Sequence, residues 1–382
     1  MPNQRRKVAV HLMNELLAIL SEPRRRSGSL VESLMQTIKA EEWEPLIRAA
    51  IVALTIHVNE PAHRIIEQAN EQHPEILSRY LKELFLTNHY FLPSGYAGSR
   101  RMFYPWRDAG AEQIQFLKNH LENDERREFA IRALLELRLP EAFELIPLDT
   151  DPTFIHLVGF SREICSFRQL YSEKPYHLQF AKTYATNSHE TWQEVTERPY
   201  RFGGQVEGQH CPTCGDTLHH LLTFPAAELL SDTCTLPSLT LATCNHCLGW
   251  YEPFLCLRHN EQGIPQSSAP VKPFSPEFIC APLLETQVAL TPVSDRYRWQ
   301  EWVYGPNLHR LGGHPAWVQL PEYPDCPECQ RTMMFLLQLD SELPLIHHNP
   351  DDWSGMFWGS GGVAYFFWCD SCRISAGRWQ CT

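Results

Sequence analysis

The chain has 382 residues, enough for two or three domains with a substantial buried core. It contains no run of 18 apolar residues, which excludes a transmembrane helix, and its amphipathic start lacks the apolar core of a signal peptide. Thirteen cysteines suit a reducing compartment, so the sequence predicts a cytoplasmic protein with no membrane partner.

Negative charge is concentrated in the C-terminal part of the chain. The first 150 residues hold 19 Lys and Arg against 21 Asp and Glu, whereas residues 151–382 hold 14 against 24. Nucleic-acid binding requires a basic surface that neutralises phosphates, so this sign argues against it. The acidic part favours a basic protein partner, and the other explanation is that the acidity serves solubility alone.

The first domain, residues 1–147, is predicted to be all helical. Apolar residues at helical spacing form a stripe over residues 8–20, and residues 43–58 are apolar on nearly every side, as in a helix buried between neighbours. Further helices are predicted to begin near Pro61 and to cover residues 76–85.

The end of this domain has the pattern of a helical repeat. A helix, Pro140 and a second helix over residues 126–146 are typical of a HEAT-type repeat. No period of about 40 residues extends through the domain, so an α-solenoid fragment and an irregular helical bundle both remain open. Aromatic residues at 88–109 predict an ordered loop, and residues 147–152 predict a linker to the second domain.

Four Cys-x-x-Cys pairs dominate the second domain, residues 153–382. Two intervening residues let one tight turn present both thiolates to a single ion, and two such turns complete a tetrahedral site. Taken in chain order, the pairs predict two structural zinc ribbons whose metal ligands are Cys211, Cys214, Cys244 and Cys247, and Cys326, Cys329, Cys369 and Cys372. Four thiolates leave no open position for water or substrate.

Disulfides and a redox motif are the alternative explanations for these pairs. Disulfides require an oxidising compartment, which nothing in the sequence indicates. A redox Cys-x-x-Cys needs one reactive pair after a strand of a parallel sheet, whereas four pairs in a regular series occur here.

The two ribbons repeat the same order of landmarks, which predicts an internal duplication with copies at about 153–265 and 266–382. Each copy contains Trp-Gln-Glu, Arg-x-Gly-Gly, a Cys-Pro-x-Cys knuckle, an apolar run and a second knuckle. These landmarks begin at Trp192, Arg201, Cys211, Leu218 and Cys244, and again at Trp299, Arg310, Cys326, Met333 and Cys369. The predicted fold class is α+β, with an all-helical domain before a duplicated β-rich domain that carries two zinc ribbons.

The second copy resembles a known family. Its Leu-Gly-Gly-His-Pro-Ala-Trp string at 311–317, its Leu-Leu-Gln-Leu run at 336–339 and the Tyr-Phe-Phe run before Cys369 are similar to the programmed cell death protein 2 family and to the related YwqG-like bacterial domains. The resemblance covers residues 190–375 and is strongest over 305–375. It implies a β-rich, pseudo-twofold fold and, for the eukaryotic family, a zinc-bearing chaperone that escorts a small-subunit ribosomal protein.

The sequence contains no familiar catalytic motif, and its Gly-Ser-Gly-Gly segment at 359–362 predicts a turn into a strand rather than a phosphate loop. A second group of possible metal ligands lies in a polar segment, where a solvated loop is the simpler interpretation: His347, His348, Asp351 and Asp352. Other possible ligands, with Cys256 foremost, are His210, His219, His220, His246, Cys165, Cys234, Cys256, Cys280 and Cys381. Isolated cysteines of this kind are ordinarily buried thiols.

Our first hypothesis is a non-enzymatic, zinc-stabilised protein-interaction or chaperone-like protein whose acidic C-terminal half holds a basic client. The alternative is an enzyme with an unrecognised metal-assisted site that uses His347 and Asp351 or a ribbon histidine. A nucleic-acid-binding zinc-ribbon protein is a third possibility, which the charge disfavours.

Overall fold

In the computed structural model the chain divides into two compact units, residues 1–166 and 167–382. The predicted linker lies within the first unit, and the exact domain boundary stays a prediction. The structure describes residues 17–20, 35, 38–56, 59–87, 105–122, 125–137, 140–147, 149–150, 174–180, 197, 199–226, 234, 236–249, 253–266, 282–293, 307–343 and 356–381. The start of the first helical stripe, the aromatic loop before residue 105 and both Trp-Gln-Glu landmarks lie outside these residues.

The described part of the first unit is helical, as predicted. Its helices are α1 (Trp43–Ile56), α2 (Glu60–Gln72), α3 (Pro74–Leu77), α4 (Leu81–Phe85), α5 (Ala111–Lys118), α6 (Arg127–Leu137) and α7 (Pro140–Glu144), with 3-10 turns at Ala40–Glu42, Ser78–Tyr80 and Pro105–Asp108. No helix among the described residues is long and apolar enough to cross a membrane. The choice between a solenoid fragment and an irregular bundle remains open.

The junction between α1 and α2 depends on one buried asparagine. The Asn59 Oδ1 accepts a hydrogen bond from the backbone N–H of Ala62 at 3.0 Å, and its Nδ2 donates to the carbonyl oxygen of Leu20 at 2.9 Å. An N-cap of this kind contributes about 1 kcal/mol to stability. Pro61 occupies the first turn of α2, where its missing N–H is not required.

Two predictions for the helical unit need correction. Residues 76–85 do not form one helix, because the 3-10 turn at Ser78–Tyr80 separates α3 from α4. Helix α1 is not buried all round: Val52 and Ile56 are 59% and 70% exposed. The opposite face of α1, with Leu46, Ala50 and Leu54, is the buried one. The apolar pattern therefore overstated how many neighbours surround the helix.

The second unit is built on an antiparallel sheet. Its strands are β1 (Tyr176–Gln179), β2 (Tyr200–Phe202), β3 (Gln205–His210), β4 (Thr217–Phe224), β5 (Leu239–Thr243), β6 (Leu255–His259), β7 (Pro265–Gln266), β8 (Thr286–Pro292), β9 (Arg310–Leu311), β10 (Met334–Asp340), β11 (Val363–Cys369) and β12 (Ile374–Gln380). Residues 359–362 form the predicted turn, and β11 is the strand that was expected to follow it.

The sheet is nearly a closed barrel. The strand order is β3-β4-β2-β8-β1-β9-β10-β11-β12-β6-β7, and β5 pairs with β4 outside this path. The backbone N–H of Thr240 in β5 donates to the carbonyl oxygen of Gly263 beside β7 at 2.9 Å. The two ends of the sheet therefore approach each other, which protects strand edges that would otherwise remain open.

Strands on the two sides of the sheet centre pair in matching registers. At the centre β1 pairs with β8; the series β2, β4, β5 follows beyond β8, and β9, β10, β11 follows beyond β1. Phe202 is opposite Leu222 where β2 meets β4, and Leu311 is opposite Leu337 where β9 meets β10. A bulge interrupts the next ladder immediately before each of these two leucines.

The two Arg-x-Gly-Gly segments form turns that require glycine. Gly203 and Gly204 have φ values of +74° and +76°, and Gly312 and Gly313 have values of +71° and +69°. Residues that carry a side chain rarely adopt these backbone angles. A Cβ atom on Gly203 would also lie 2.0 Å from the carbonyl oxygen of Leu284.

A separate aromatic core covers one face of the second half of the sheet. Phe335, Tyr365 and Phe367 are fully buried, and the Trp317 ring lies 4.5 Å from that of Tyr365. The Tyr365 hydroxyl donates to the carbonyl oxygen of Ala316 at 2.8 Å and accepts from the N–H of Val318 at 3.0 Å. The segment after the second Gly-Gly turn is thereby held on the sheet.

We expect Phe367→Ala to lower the free energy of unfolding by about 3–5 kcal/mol, because the lost phenyl ring leaves a cavity in this core. Phe357→Ala is the control, since Phe357 is 44% exposed, and it should change stability by about 1 kcal/mol or less. Urea denaturation of both variants measures the difference. Equal effects would contradict the burial assigned to Phe367.

Candidate metal centres

The first cysteine group is assembled by three neighbouring strands. Cys211 and Cys214 lie in the turn between β3 and β4, and Cys244 and Cys247 follow the end of β5. Because β5 pairs antiparallel with β4, the end of β5 lies beside the start of β4. The strand pairing therefore carries the second knuckle to the first.

The second group has the same arrangement. Cys326 and Cys329 precede β10, while Cys369 ends β11 and Cys372 lies in the turn into β12. Strands β10 and β11 are antiparallel, with Met334 opposite Trp368. The start of β10 and the end of β11 consequently meet, and so do the knuckles attached to them.

Backbone hydrogen bonds shape the first knuckle of each group. The N–H of Cys211 donates to the Asp216 carbonyl at 2.7 Å, and the N–H of Cys326 donates to the Arg331 carbonyl at 2.9 Å. Each of these two turns contains one residue with a positive φ: Gly215 at +79° in the first group and Gln330 at +57° in the second. Such a turn aims both cysteine side chains to the same side.

The sulfur atoms of each group are close enough to bind one ion. All four Sγ atoms lie within 4.8 Å of one another in both groups. Two measured contacts across the knuckles are 3.5 Å, between Cys214 and Cys244, and 3.6 Å, between Cys329 and Cys369. Tetrahedral zinc with Zn–S bonds of about 2.3 Å places its sulfurs about 3.8 Å apart. The donor atoms and their spacing thus fit a four-thiolate metal site.

Crowding of the thiols alters their acidity. The neighbouring Cys244 and Cys247 lower the pKa of Cys211 to about 2, while burial raises the pKa of Cys369 to about 12. The side chain of Arg331 lowers the pKa of Cys329 to about 6. One thiolate in a group is stabilised by its neighbours, whereas ionisation of all four requires the charge of a metal ion.

In each group a contact between two side chains other than the cysteines also joins the knuckles. In the first group Asp216 Oδ2 lies 2.9 Å from His246 Nδ1, and in the second Arg331 Nη2 donates to the Ser371 hydroxyl. Asp216 and Arg331 each stand two residues after the last cysteine of the first knuckle. His246 and Ser371 each stand between the two cysteines of the second knuckle. Sequence reasoning missed these pairs, although their equal positions relative to the two cysteine groups were a usable signal.

The remaining candidate ligands do not join these groups. Among the described residues, the thiols in question are Cys234, Cys256 and Cys381, and none is part of either four-sulfur group. Cys256 lies in β6 opposite Ala376. The other candidates, His347, His348, Asp351, Asp352, Cys165 and Cys280, lie outside the described residues.

The histidines near the first group have other roles. Burial lowers the pKa of His219 and of His220 to about 4. The neutral His220 ring donates from Nδ1 to the Gly203 carbonyl at 3.1 Å and accepts at Nε2 from the Thr223 hydroxyl at 2.8 Å. His210 is exposed at the end of β3. These hydrogen bonds are those of histidines built into a core.

The glutamines near the second Gly-Gly turn also bond internally. Gln338 is fully buried; its Oε1 accepts from the Ala316 N–H at 2.7 Å and its Nε2 donates to the Leu308 carbonyl at 2.9 Å. Gln319 Nε2 donates to the Cys381 carbonyl at 2.6 Å. These contacts connect both glutamines to other segments of the same unit, which is the role of core architecture rather than of a peptide-binding cleft.

Comparisons with known proteins identify the β-rich unit. A family model described as "Domain of unknown function (DUF1963)" matches residues 166–371, more than half of the chain. The chain is also 31% identical over 200 residues to the "Uncharacterized protein YpfL" of Salmonella typhimurium, covering 50% of this chain and 43% of that protein. It therefore matches less than half of this relative's length. No solved structure matches the chain.

The family match bears on the resemblance read from the sequence. The DUF1963 family is related to the YwqG-like domains, which confirms that part of the resemblance. Membership of the programmed cell death protein 2 family is not shown and stays a prediction.

The buried His259 predicts a loss of stability in acid. Its Nδ1 donates to the Gly263 carbonyl, its Nε2 accepts from the Ser375 hydroxyl, and burial lowers its pKa to about 4 from 6.5. The unfolded chain binds a proton there first, so the free energy of unfolding decreases as pH falls below about 6.5. His259 should account for roughly 2 kcal/mol of the decrease between about pH 7 and about pH 5.

His259→Asn tests this expectation by urea denaturation at both pH values. The variant should be less stable at neutral pH, because two hydrogen bonds are lost, but should lose less stability on acidification than the natural chain. His210→Asn, at an exposed position, should keep the natural pH dependence. An unchanged pH dependence in His259→Asn would show that this ring is not buried as a neutral group.

Proposed function

This chain belongs to the family described as "Domain of unknown function (DUF1963)", and from that premise we propose that it is a non-enzymatic, zinc-stabilised protein that binds other proteins. The proposal rests chiefly on one observation: eight cysteines form two groups of four, each with all sulfurs within 4.8 Å. Thiolate ligands in a tetrahedral arrangement select zinc over magnesium or calcium, which prefer oxygen.

The proposed zinc ions have a structural role. Four thiolates fill the coordination shell, so no position remains for water activation or substrate binding. Zinc in such a site contributes roughly 10–16 kcal/mol of folding free energy in small zinc domains. Whole proteins are commonly stable by only about 5–15 kcal/mol. Each half of the β-rich unit is then expected to be ordered only when its own ion is bound.

Internal duplication belongs to the same proposal. The two sets of strands share their order, their register at Phe202–Leu222 and Leu311–Leu337, and the position of one bulge. Independent evolution of all three features is a poor explanation. A duplicated zinc ribbon accounts for both the matching ladders and the two cysteine groups.

We place the interaction surface on the acidic C-terminal half. Several carboxylates there already pair with arginine, as Glu285 does with Arg201 and Glu322 with Arg378. The excess of ten acidic over basic residues in 151–382 remains after such one-to-one pairing, and each filled thiolate site adds a further negative charge of two. A basic protein segment complements this charge. Thiols available for metal suit the cytoplasm, which is the compartment we propose.

The two other functions have less support. The same negative charge opposes nucleic-acid binding. A metal-assisted enzyme requires ligands beyond the two closed sites, and only the two cysteine groups bring three or more metal-binding side chains together among the described residues. The enzyme alternative therefore depends on His347 and Asp351, which lie outside them.

Removal of one ligand should release one ion and disorder the half of the β-rich unit that contains it, whereas removal of another buried thiol should not. We expect Cys214→Ser to reduce the zinc content from about two ions per chain to about one and to abolish the near-ultraviolet circular dichroism of the first half. Cys234→Ser is the matched control, because Cys234 is also buried but lies outside both groups. Elemental analysis of the purified chains counts the ions.

Chelation of the natural chain provides the same test when Cys214→Ser is too unstable to purify. Stripping zinc should unfold the β-rich unit, and restoring it should refold the unit. Two ions in Cys214→Ser, or an unchanged melting curve of the stripped chain, would rule out the structural role.

The protein-binding proposal predicts a salt-sensitive, lysine- or arginine-rich partner. Proteins that copurify with the full chain should be identified by mass spectrometry, purified, and measured for direct binding. Affinity should fall between about 50 and about 300 mM salt, because surface charges are screened over shorter distances at the higher concentration. RNA of matched length should bind this chain more weakly than the basic partner does.

Charge variants separate this interaction from nonspecific adhesion. Glu207→Gln with Asp325→Asn removes two exposed charges of the β-rich unit and should weaken binding several-fold. Glu41→Gln with Glu75→Gln removes two from the helical unit and should have little effect. Equal weakening by both pairs, or tighter binding of RNA than of any basic protein, would refute the proposed surface.

A further inference from the structure

The geometry points to unequal roles for the two cysteine groups: we propose that the second is an exchangeable metal site and the first a permanent one. This inference rests on the proposed zinc binding and adds which ion can leave. The exchanging partner would be a small soft-metal ligand, such as a thiolate or a nitrogen chelator, that displaces protein thiolates one at a time.

Solvent access differs between the groups. All four cysteines of the first group are buried, with Cys211, Cys244 and Cys247 fully inaccessible. In the second group Cys329 and Cys372 are half-buried. Ligand substitution at zinc begins when an incoming donor reaches the ion or a detaching sulfur, so an accessible thiolate provides the starting point.

A cleft lies beside the second group. It has a volume of about 470 Å³ and is lined by Leu236, Glu261, Asp370, Ser371 and Arg373. Asp370 and Ser371 are the two residues between Cys369 and Cys372, so the cleft borders the knuckle itself. A chelator-sized molecule can approach this knuckle without unfolding of the sheet.

The contacts between the knuckles also differ in strength. His246 Nδ1 lies 2.9 Å from the Asp216 carboxylate; the imidazole is 7% and the carboxylate 45% exposed, and the contact connects the two knuckles of the first group. At the corresponding positions the second group has the exposed contact of Arg331 with the Ser371 hydroxyl. Water competes for both members of an exposed contact, so the Arg331–Ser371 contact restrains its knuckles less than one made by a nearly buried imidazole.

Loss of metal from the second group has a local structural consequence. Cys326 and Cys369 pack in the aromatic core with Phe335 and Phe367. When the ion leaves, this core loses the link that holds its two knuckles together. Metal supply would then regulate the order of the second half, while the first half stays folded.

The test follows zinc release from the full-length protein. Elemental analysis after incubation with zinc must first give about two ions per chain; the absence of bound zinc refutes zinc binding itself and is distinguishable from failure of this inference. Excess 4-(2-pyridylazo)resorcinol then reports released zinc by absorbance. We expect two phases of one ion each that differ at least about tenfold in rate, a range typical for changes in contacts around metal ligands.

Time-resolved alkylation assigns the phases without any variant. N-ethylmaleimide should label Cys329 and Cys372 during the fast phase, and Cys211 and Cys214 only during the slow one, as read by peptide mass spectrometry. Release of both ions in a single phase, or earlier labelling of Cys211 and Cys214, would overturn the inference.

A matched substitution tests the cause. His246→Ser gives the first group the residue that stands at the corresponding place in the second, and it should accelerate the slow phase roughly tenfold without changing the fast one. Ser371→Ala should leave the slow phase unchanged. An unaltered slow phase in His246→Ser would show that the contact with Asp216 does not retain the ion.

Discussion

Convergence of four sulfur atoms at the ends of paired strands is the constraint on which the β-rich unit depends. In each group the two knuckles are far apart in sequence and meet only because their strands pair antiparallel. Four thiols in such close contact cannot all ionise without a compensating cation, because like charges would repel in a poorly solvated site. A divalent ion removes this repulsion and also prevents the paired strands from separating.

The bulges link strand register to these metal groups. A shift of one residue between β4 and β5, or between β10 and β11, would exchange the side chains that pack on the two faces of the sheet and move one knuckle away from the other. Each bulge lies at the same separation from the preceding Cys-x-x-Cys turn, before Leu222 or Leu337. Hydrophobic burial and sulfur convergence therefore specify the same register in both halves, which reduces the number of alternative pairings.

Local chemistry explains which features the sequence predicted. Cysteine spacing indicated the two groups because knuckle geometry depends on a few adjacent residues, and the apolar runs at β10 and β11 indicated strands for the same reason. The exposed side of α1 was missed, since periodicity does not reveal how many neighbours a helix has. The β1–β8 pairing and the contacts Asp216–His246 and Arg331–Ser371 arise only after distant segments meet, so no local pattern announces them.

Symmetry of the backbone does not make the two halves chemically equal. Strands β4 and β10 carry different side chains at equivalent positions. In β4, His220 and Thr223 form a polar hydrogen-bonded cluster. In β10, Phe335 packs in an aromatic core and Gln338 forms hydrogen bonds with an internal segment. The first half is held partly by directed hydrogen bonds that remain when a neighbouring thiolate dissociates. In the second half the Trp317 segment packs on an aromatic core that includes Cys326 and Cys369, so its order would depend more directly on an ion bound there.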